Sequence, residues 1–548
     1  MSYKLLFFLT LFLAISACKQ DMEGKKGSID QKSTPAPINT ETIRTHLAEL
    51  SSDNYEGRMP CMKGGKMAVD YIEQEVKRLG LKPGNKGSFL QDVPLLTLEA
   101  DIDLEMKISG GKEPLTWKKG KDFVIHSERK VDRVELNNSE LVFCGYGIID
   151  EKKGWNDFAG MDMKGKTAVI VVNDPGFGGD DPDFFNGDIM TYAGRWDYKY
   201  DMADKVGADG LLIIHTTPTA GYPWFVVESS WTGPQQGLSG IDRTKDCGVK
   251  GWITLDKAVE LFDNCGLNFT EEMKSARKPG FKPKPMNAKV SAGLDNSIEE
   301  CISKNIIATV PGSKYPDEYI VYTAHWDHIG IGKVVKGDSI YNGALDNASG
   351  VATLLALAEA HQKTQPERSI MFLFVTAEEQ GLLGSEYFVE NPTIPLSKVV
   401  CNLNLDGVNP VGEMKDLTIT GKGHSSMDEY AESAAKAQGR YVMAEQEPEK
   451  GYFFRSDHFN FAKKGVPALY AEGGYDHATK GKAYAKEQKD NFVAQKYHAP
   501  ADEYDPSTWV MEGMVQDAQL YYNIAKKLAD SREWPEWYEH SEFSRTNP

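Results

Sequence analysis

Apolar runs and helical periodicities alternate along the C-terminal half of this chain. The apolar runs are bounded by turn-forming residues, which is typical of buried strands. They lie at 305–310, 319–324, 369–376 and 399–405. Between the second and third runs, residues 348–362 place Val351, Leu354, Leu355 and Ala358 on one helical face. This alternation predicts an α/β domain with a mixed, mostly parallel sheet flanked by helices.

The rest of the chain shows two other sequence patterns. Residues 41–129 begin with two amphipathic helices, and the second one stops at Gly80. Residues 130–290 contain short strands, turns and aromatic residues. We therefore expect the first part of the main domain over 41–129, a β-rich insert over 130–290 and the second part of the main domain over 291–548.

The first residues have the pattern of an export signal. Lys4 is followed by an apolar run over 5–15 that is too short to cross a membrane as a helix. Residues 15–18 end in Cys18 and resemble the lipobox of bacterial lipoproteins, in which this cysteine receives the lipid; an ordinary cleaved signal is the alternative. We expect a signal peptide over 1–18, a flexible tether over 19–40, and an exported protein that a lipid holds on the membrane of the cell envelope, either in the outer membrane or facing the periplasm.

Composition narrows the classes of partner. The 548 residues have a formal net charge of −18, and 41% of them are hydrophobic, as in an ordinary globular protein. Because nucleic acid binding needs a basic face, we expect no nucleic acid partner. The residues do not indicate an oligomeric state. Six cysteines besides Cys18 form no CxxC spacing, so their pairing stays open.

Acidic and imidazole side chains follow the ends of three predicted strands. His325 and Asp327 follow the 319–324 run, Glu378 and Glu379 follow the 369–376 run, and Asp406 follows the 399–405 run. Ligands collect at the carboxyl ends of the strands in open α/β sheets. His325 and Asp327 leave the same face if the strand continues, so the Asp327 carboxylate is placed to hold the second ring nitrogen of His325. These groups predict a site at one edge of the sheet.

Two further residues complete a candidate metal centre. Asp346 precedes the 348–362 helix, where either it or Asn347 caps the helix; if Asn347 does so, Asp346 is free to bind a metal. His498 lies in a loop far from any helical pattern. The candidate ligands share oxygen or nitrogen donors without thiolate, which fits zinc first, with manganese or cobalt as alternatives. They are His325, Asp346, Glu379, Asp406 and His498.

The paired carboxylates suggest a division of roles. Glu378 and Glu379 are adjacent at a strand end, so their side chains point in different directions. One carboxylate can then bind a metal while the other receives a proton from the water that attacks the substrate. A pair of first-turn glutamates favoured by a helix dipole is the alternative.

The strings around these residues resemble those of the M28 family of co-catalytic zinc peptidases. They match in order and in spacing. The strings are TAHWDHIG (323–330), GALDNASG (343–350), TAEEQG (376–381), NLDG (404–407) and YHAPAD (497–502). LSSDNYEGR (50–58) and GLKP (80–83) are similar to the family's N-terminal region, and 130–290 resembles a protease-associated (PA) insert. The resemblance implies a zinc-exopeptidase, phosphorylase/hydrolase-like fold over nearly everything after residue 40.

The resemblance also implies a role for each residue of the centre. Asp346 would bridge two zinc ions and precede a cis peptide bond. His325 and Asp406 would complete one site, and Glu379 and His498 the other. Asp327 would orient His325, and Glu378 would be the general base. The segment Ser456-Asp457-His458 matches a family string that borders the substrate cleft.

These features predict a di-zinc metallopeptidase, and first of all an aminopeptidase that releases N-terminal residues from peptides in the cell envelope. Asp457 and His458 are candidate substrate contacts, and Arg455 is a candidate partner of a substrate carboxylate, with a surface salt bridge as its alternative. A carboxypeptidase or a glutaminyl cyclase on the same fold is the alternative enzyme. A metal-free, receptor-like binding protein would require broken ligands, and none is broken here.

Overall fold

The structure is a computed structural model that describes residues 38–545. The predicted signal peptide, Cys18 and nearly all of the 19–40 tether lie outside the described residues. The end of that tether belongs to the fold, because Ile38 is buried and the side chain of Asn39 accepts a hydrogen bond from the backbone N–H of Glu41 in the first helix. No helix within 38–545 is both long enough and apolar enough to cross a membrane.

The N-terminal part contains two helices and two strands before the chain enters the insert. They are α1 (Thr40–Leu50), α2 (Lys63–Arg78), β1 (Lys82–Pro83) and β2 (Leu90–Ile102).

The following region contains short strands and helices and ends in one very long strand. The first strands are β3 (Glu105–Gly110), β4 (Leu115–Lys118), β5 (Phe123–His126), β6 (Arg133–Phe143), β7 (Ile149–Asp150), β8 (Trp155–Asn156) and β9 (Lys166–Val171). They are followed by α3 (Trp196–Lys205), β10 (Gly210–Ile214), α4 (Thr217–Ala220), α5 (Trp224–Ser230), β11 (Pro234–Leu238), β12 (Val249–Ile253), α6 (Leu255–Asn264), α7 (Phe269–Ala276) and β13 (Lys284–Val310).

The C-terminal part alternates strands and helices, as the sequence predicts. It begins with β14 (Tyr315–His325), β15 (Gly330–Val335), β16 (Asp338–Tyr341), α8 (Ser349–Gln362), β17 (Arg368–Val375), α9 (Leu383–Glu390) and β18 (Val399–Asn404). It continues with β19 (Asp416–Ile419), α10 (Met427–Ala437), β20 (Tyr441–Ala444), α11 (His458–Lys463), β21 (Ala468–Gly473), α12 (Gly481–Gln495) and α13 (Met511–Ala529).

The sheet of the C-terminal part is mixed and mostly parallel. β14 lies between β17 and β18 and is parallel to both, and β18 is also parallel to β21. β13 pairs with β17 in the antiparallel direction, and β19 does so with β21. This arrangement confirms the predicted fold class.

Both faces of this sheet are covered, which explains why its strands are apolar throughout. Ile370, Phe372 and Phe374 of β17 pack into one cluster with α1, α2, α8 and α13. The alternate residues Met371 and Leu373 pack into a second cluster with α9 and α11. Because side chains alternate between the faces of a strand, a central strand needs apolar residues at every position.

The region before residue 294 has its own hydrophobic clusters and shares β13 with the C-terminal sheet. The N-terminal half of β13 pairs with β3 and β6, while its last residues pair with β17. Residues of β3 to β5 join the same clusters as β6, β9, β10 and β12. This structural unit therefore starts near Ile102, upstream of the 130 expected for the insert, and its identity as a PA domain stays a prediction.

Candidate metal centre

Three neighbouring parallel strands bring side chains to one edge of the C-terminal sheet. β14 ends at His325, in register with the last residue of β17. β18 pairs with the other side of β14 and ends opposite Thr323. Because these strands point in the same direction, Glu378, Glu379 and Asp406, which follow them, emerge beside His325.

Two loops deliver the remaining candidate ligands. Asp346 lies in a π-helical turn, Ala344–Ala348, and the peptide bond between Asp346 and Asn347 is cis, as the family resemblance implies. The Asn347 side chain accepts a hydrogen bond from Gly350 N at 2.9 Å. Asn347 therefore serves the start of α8, and the Asp346 carboxylate is free to face the site. His498 follows α12 in the left-handed region, at φ 54°.

The five predicted ligands meet around the Asp346 carboxylate. Asp346 Oδ1 lies 3.3 Å from His325 Nε2, and its Oδ2 lies 3.4 Å from His498 Nε2. His325 Nε2 is also 3.2 Å from Asp406 Oδ1, and His498 Nε2 is 3.0 Å from Glu379 Oε2. The site therefore has two halves, each with one imidazole and one further carboxylate, that share Asp346.

The donor atoms of this cluster fit divalent metal ions. Ligand atoms of His325, Asp346 and Glu379 all lie within 4.8 Å of one another, and so do those of His325, Glu378 and Asp406. Imidazole nitrogens and carboxylate oxygens are ligands that zinc takes in catalytic sites. The assignment of these residues as ligands stays a prediction.

The cluster also shifts the pKa values of its carboxyl groups. Burial raises the pKa of Glu378 well above its usual value. Burial acts in the same direction on Asp346, but hydrogen bonds from His325 and His498 hold its pKa well below the usual range. Glu378 Oε2 lies 3.9 Å from His325 Nε2, so this carboxyl group is at the centre of the site but outside its shortest contacts.

The contacts of Asp327 differ from those that its spacing from His325 predicts. His325 Nδ1 is 3.2 Å from the backbone oxygen of Asp327, whereas the carboxylate oxygen Oδ1 lies 3.9 Å away. The carboxylate instead accepts hydrogen bonds from the backbone N–H groups of Glu378 and Glu379. The predicted carboxylate–imidazole hydrogen bond is therefore replaced by a backbone contact, and the Asp327 side chain positions the two glutamates.

Two buried charged residues fix the loop that carries Asp346. Asp502 accepts hydrogen bonds from the backbone N–H groups of Leu345 and Asp346. Arg58 donates to the backbone oxygens of Asn342 and Trp326. Both residues belong to segments that carry the family resemblance, but the sequence alone does not predict these hydrogen bonds.

Two polar side chains orient the carboxylates of two candidate ligands by hydrogen bonds. Ser456 Oγ donates to Asp406 Oδ2 at 2.5 Å and accepts from Asn404 Nδ2. His328 Nδ1 lies 2.5 Å from Glu379 Oε1. The sequence signal for His328 is its place in the 323–330 string, one residue after Asp327. Such partners fix the direction of a metal-binding carboxylate.

The candidate substrate residues fall into two groups. Asp457 and His458 are both 0% exposed. Direct contact of either side chain with a peptide does not fit this burial. Arg455 is only partly buried, and its guanidinium makes no ion pair with a carboxylate of the described residues. The surface salt bridge considered for Arg455 is therefore not formed.

A second acidic cluster lies in the insert region and is already neutralised. It consists of Glu128, Asp204 and Asp246. Lys250 Nζ lies 2.7 Å from Glu128 and 2.9 Å from Asp204, and Arg243 pairs with Glu128 and Asp246. Because the buried Lys250 ammonium and the partly exposed Arg243 guanidinium pair with these carboxylates, the cluster is an ion-pair network.

Comparisons with known proteins agree with the chemistry of the candidate centre. Residues 305–523 match the model of Peptidase family M28, and this range contains all five candidate ligands. The match supports the prediction of a metallopeptidase-type hydrolase.

Curated relatives match shorter parts of the chain. The Aminopeptidase NAALADL1 of Mus musculus is 29% identical over 168 residues, which make up 29% of this chain and 20% of that protein. A probable zinc metalloprotease of Pyrenophora tritici-repentis is 34% identical over 140 residues, 25% of this chain and 29% of that protein. The chain thus spans less than a third of the length of these relatives.

Solved structures match over a longer range but with low identity. The aminopeptidase from Aneurinibacillus sp. strain AM-1 is 21% identical with a TM-score of 0.49, and the match covers 93% of this chain and 98% of that one. A zinc aminopeptidase from Bacillus subtilis is 17% identical with a TM-score of 0.43, covering 91% and 96%.

Proposed function

We propose that this protein is a di-zinc aminopeptidase that releases N-terminal residues from peptides. The observation that carries the proposal is the position of Asp346, whose two carboxylate oxygens lie beside the imidazoles of two separate half-sites. A carboxylate in that position suits a bridge between two cations. The family match over 305–523 and the aminopeptidases among the similar proteins support the same class.

Each half-site supplies a full set of protein donors for one ion. His325 and Asp406 would hold one zinc ion, Glu379 and His498 the other, and Asp346 both. Manganese or cobalt would be accepted by the same donors. Ser456 and His328 fix the directions of Asp406 and Glu379 by hydrogen bonds, so the ligands are held before an ion binds.

The chain's own groups supply the proton transfer. When bound, two such ions polarise the scissile carbonyl and make a water molecule more acidic. Glu378 takes the proton from the attacking water and then donates it to the leaving amine. Asp327 supports this step because its carboxylate accepts the backbone N–H of Glu378 and so fixes the start of that side chain.

We also propose that the protein works outside the cytoplasm, held to the membrane of the cell envelope through a lipid on Cys18. The disulfide between Cys61 and Cys301 supports an oxidising compartment. The insert predicted over 130–290 would act as a PA-like module that limits access of substrates to the cleft. A vesicle-flotation assay on cells expressing the chain and its Cys18→Ala variant tests the anchor; equal flotation of both would contradict it.

A peptide panel with metal analysis on the same sample tests the enzymatic proposal. Peptides with free and acetylated N-termini, each with free and amidated C-termini, are incubated with zinc-loaded protein. We expect release of the N-terminal residue from the free N-termini only, and about two zinc ions per chain. Release from the C-terminus would indicate a carboxypeptidase, loss of ammonia from an N-terminal glutamine a cyclase, and absence of both metal and turnover a binding protein.

A further inference from the structure

Two arginines meet where the insert region packs against the C-terminal part. Arg195 directly precedes α3, and Arg455 follows the 3₁₀ turn Tyr452–Phe454. The segments around them are in contact, because Met190 N donates to Pro448 O at 3.3 Å. Arg195 Cδ also lies 3.5 Å from the position that a Cβ would occupy on Gly451, and the two guanidinium groups interact electrostatically.

Arg195 and Arg455 have fewer carboxylates in contact with them than they have positive charges. Arg195 Nε lies 3.5 Å from Asp197 Oδ1 but makes no hydrogen bond. Arg455 donates to the backbone oxygen of Lys450 at 2.5 Å, and its buried Nε has no partner. Within 38–545, no carboxylate lies within 4.0 Å of the Arg455 guanidinium. Glu445 interacts with Arg455 from farther away and accepts a hydrogen bond from Gly421 N. The two guanidinium groups together therefore have one contacting carboxylate, that of Asp197, and it contacts only Arg195.

Aromatic side chains line the same place. Arg455 stacks over the Tyr452 ring, with 5.1 Å between the guanidinium carbon and the ring centroid. Tyr222 of the insert region is partly buried and interacts electrostatically with both Arg195 and Arg455. A guanidinium held on an aromatic face is fixed in orientation and still has donors for a planar anion.

Arg455 lies next to the candidate metal centre. Arg455 directly precedes Ser456, whose hydroxyl donates to the predicted ligand Asp406. On the other side, Arg455 interacts with Tyr497, and the Tyr497 ring stacks on His498 with 3.9 Å between the centroids. Tyr497 is 50% exposed, so this side of the centre is open to solvent. A group bound by Arg455 would therefore be close to a peptide whose scissile bond is at the centre.

We propose that Arg195 and Arg455 form a subsite for a carboxylate of the peptide substrate. The inference rests on the proposed peptidase function and names a substrate class: peptides with a carboxylate close to the scissile bond. Guanidinium groups bind carboxylates in a bidentate manner, and such bonds are stronger than neutral ones. The carboxylate comes either from an acidic side chain or from the C-terminus of a dipeptide.

Matched substrate pairs separate these two sources. Alanylalanine and its amide differ only in the C-terminal carboxylate, and aspartyl-alanine amide and asparaginyl-alanine amide differ only in the side chain. We expect the wild-type protein to prefer the carboxylate member of at least one pair. In Arg455→Gln and Arg195→Gln, we expect kcat/KM for that member to fall about tenfold to a hundredfold through a higher KM. The uncharged member should keep its rate.

A matched control and a milder variant distinguish loss of the subsite from a general loss of structure. Arg277→Gln removes another partly buried arginine of the insert region, which donates to Phe177 O and does not approach the centre. We expect it to leave the carboxylate preference unchanged. Arg455→Lys keeps the charge but loses the bidentate geometry, so an intermediate loss is expected.

The outcomes distinguish this inference from the proposed function. If the wild type cleaves both members of each pair equally, or if the arginine variants reduce both members alike, the subsite is wrong while the peptidase stands. If no peptide is cleaved, the proposed function is wrong, and calorimetric binding of alanylalanine and its amide still decides the subsite. Tighter binding of alanylalanine that Arg455→Gln abolishes would support it, and equal binding would overturn it.

Discussion

Among single residues, Arg58 connects the loops that carry the candidate ligands. Its guanidinium donates to four backbone oxygens at 2.6 to 2.8 Å, those of Leu50, Trp326, Asn342 and Gly343. Trp326 follows directly on the end of β14, and the last two residues lead into the π-helical turn. Burial lowers the pKa of Arg58 to about 10, so the side chain is charged at neutral pH. One planar cation thus fixes the spacing of two loops.

Arg58→Lys should damage both stability and activity. An ammonium group has three donors and no planar fork, so at least one of the four buried oxygens would lose its partner. We expect the free energy of unfolding to fall by about 1–3 kcal/mol and kcat/KM for a peptide to fall at least about tenfold. Urea unfolding and steady-state kinetics measure these changes. Arg44→Lys, at a partly exposed arginine paired with Glu41, is the control and should change neither; equal behaviour of the two variants would contradict the role of Arg58.

The two adjacent glutamates should respond differently to the same substitution. Glu378→Gln removes the proposed proton acceptor and should keep both metal ions while turnover falls about 10²- to 10⁴-fold. Glu379→Gln weakens a proposed ligand that contacts His498, so it should lose metal as well as turnover. Metal content by mass spectrometry and kcat on the same preparations test the pair. Near-normal turnover of Glu378→Gln would show that another group accepts the proton.

At the scale of elements, the π-helical turn Ala344–Ala348 is what allows one carboxylate to face two half-sites. The Asp502 carboxylate accepts a hydrogen bond from the backbone N–H of Asp346 in this turn. The side-chain oxygen of Asn347, near the end of the turn, accepts hydrogen bonds from Gly350 N and Gly407 N. The turn therefore has fixed partners on both sides of Asp346. A side chain at this position is preorganised, because the backbone around it does not depend on the metal.

Asp346→Ala should for this reason remove both metal ions together. We expect zinc content to fall from about two equivalents to fewer than about one half, since each half-site would keep one imidazole and one carboxylate. Asp338→Ala is the control, because Asp338 is an acidic residue in the exposed hairpin of β15 and β16. Dialysed samples are compared by metal analysis. Two equivalents retained by Asp346→Ala would exclude a bridging role.

Most of the sheet could be predicted from sequence, and the long connection to the insert could not. β17 and β18 are short apolar runs, and each begins and ends within one residue of the prediction. β13 extends over Lys284–Val310 because its two halves pair with different strands. Its first half is partly exposed and carries charged residues, so only its buried end has the composition of a central strand.

The candidate centre could be predicted as a set of residue types but not as a set of contacts. The ligand positions follow from strand ends and from the strings around them. The roles of Arg58 and Asp502 could not be predicted, because their partners are backbone atoms of loops far along the chain. The same is true of Asp327, where a spacing of two residues is compatible with a contact through either the carboxylate or the backbone. Spacing identifies the residue, and only the folded loop decides which atom is used.

At the scale of the whole molecule, one disulfide within residues 38–545 connects the N-terminal part to β13, the strand that the insert region shares with the C-terminal sheet. Cys61 follows closely on Arg58, and Cys301 lies in the part of β13 that pairs with β2. The two cysteines are 240 residues apart, and the whole insert lies between them. The remaining cysteines of the described residues, Cys144, Cys247, Cys265 and Cys401, are unpaired. The single link thus closes one very large loop around the insert.

Removing this link should destabilise the protein in a way that reductant reproduces. Closing a loop of this length restricts the unfolded chain, and its loss costs on the order of 2–5 kcal/mol. The double variant Cys61→Ser with Cys301→Ser should therefore unfold at a lower urea concentration than the wild type. Dithiothreitol should lower the wild-type midpoint to that of the variant and leave the variant unchanged, which makes the variant its own control. If dithiothreitol leaves the wild-type midpoint in place, the two thiols are not joined in the native protein, and the support that the disulfide gives to an oxidising compartment is lost.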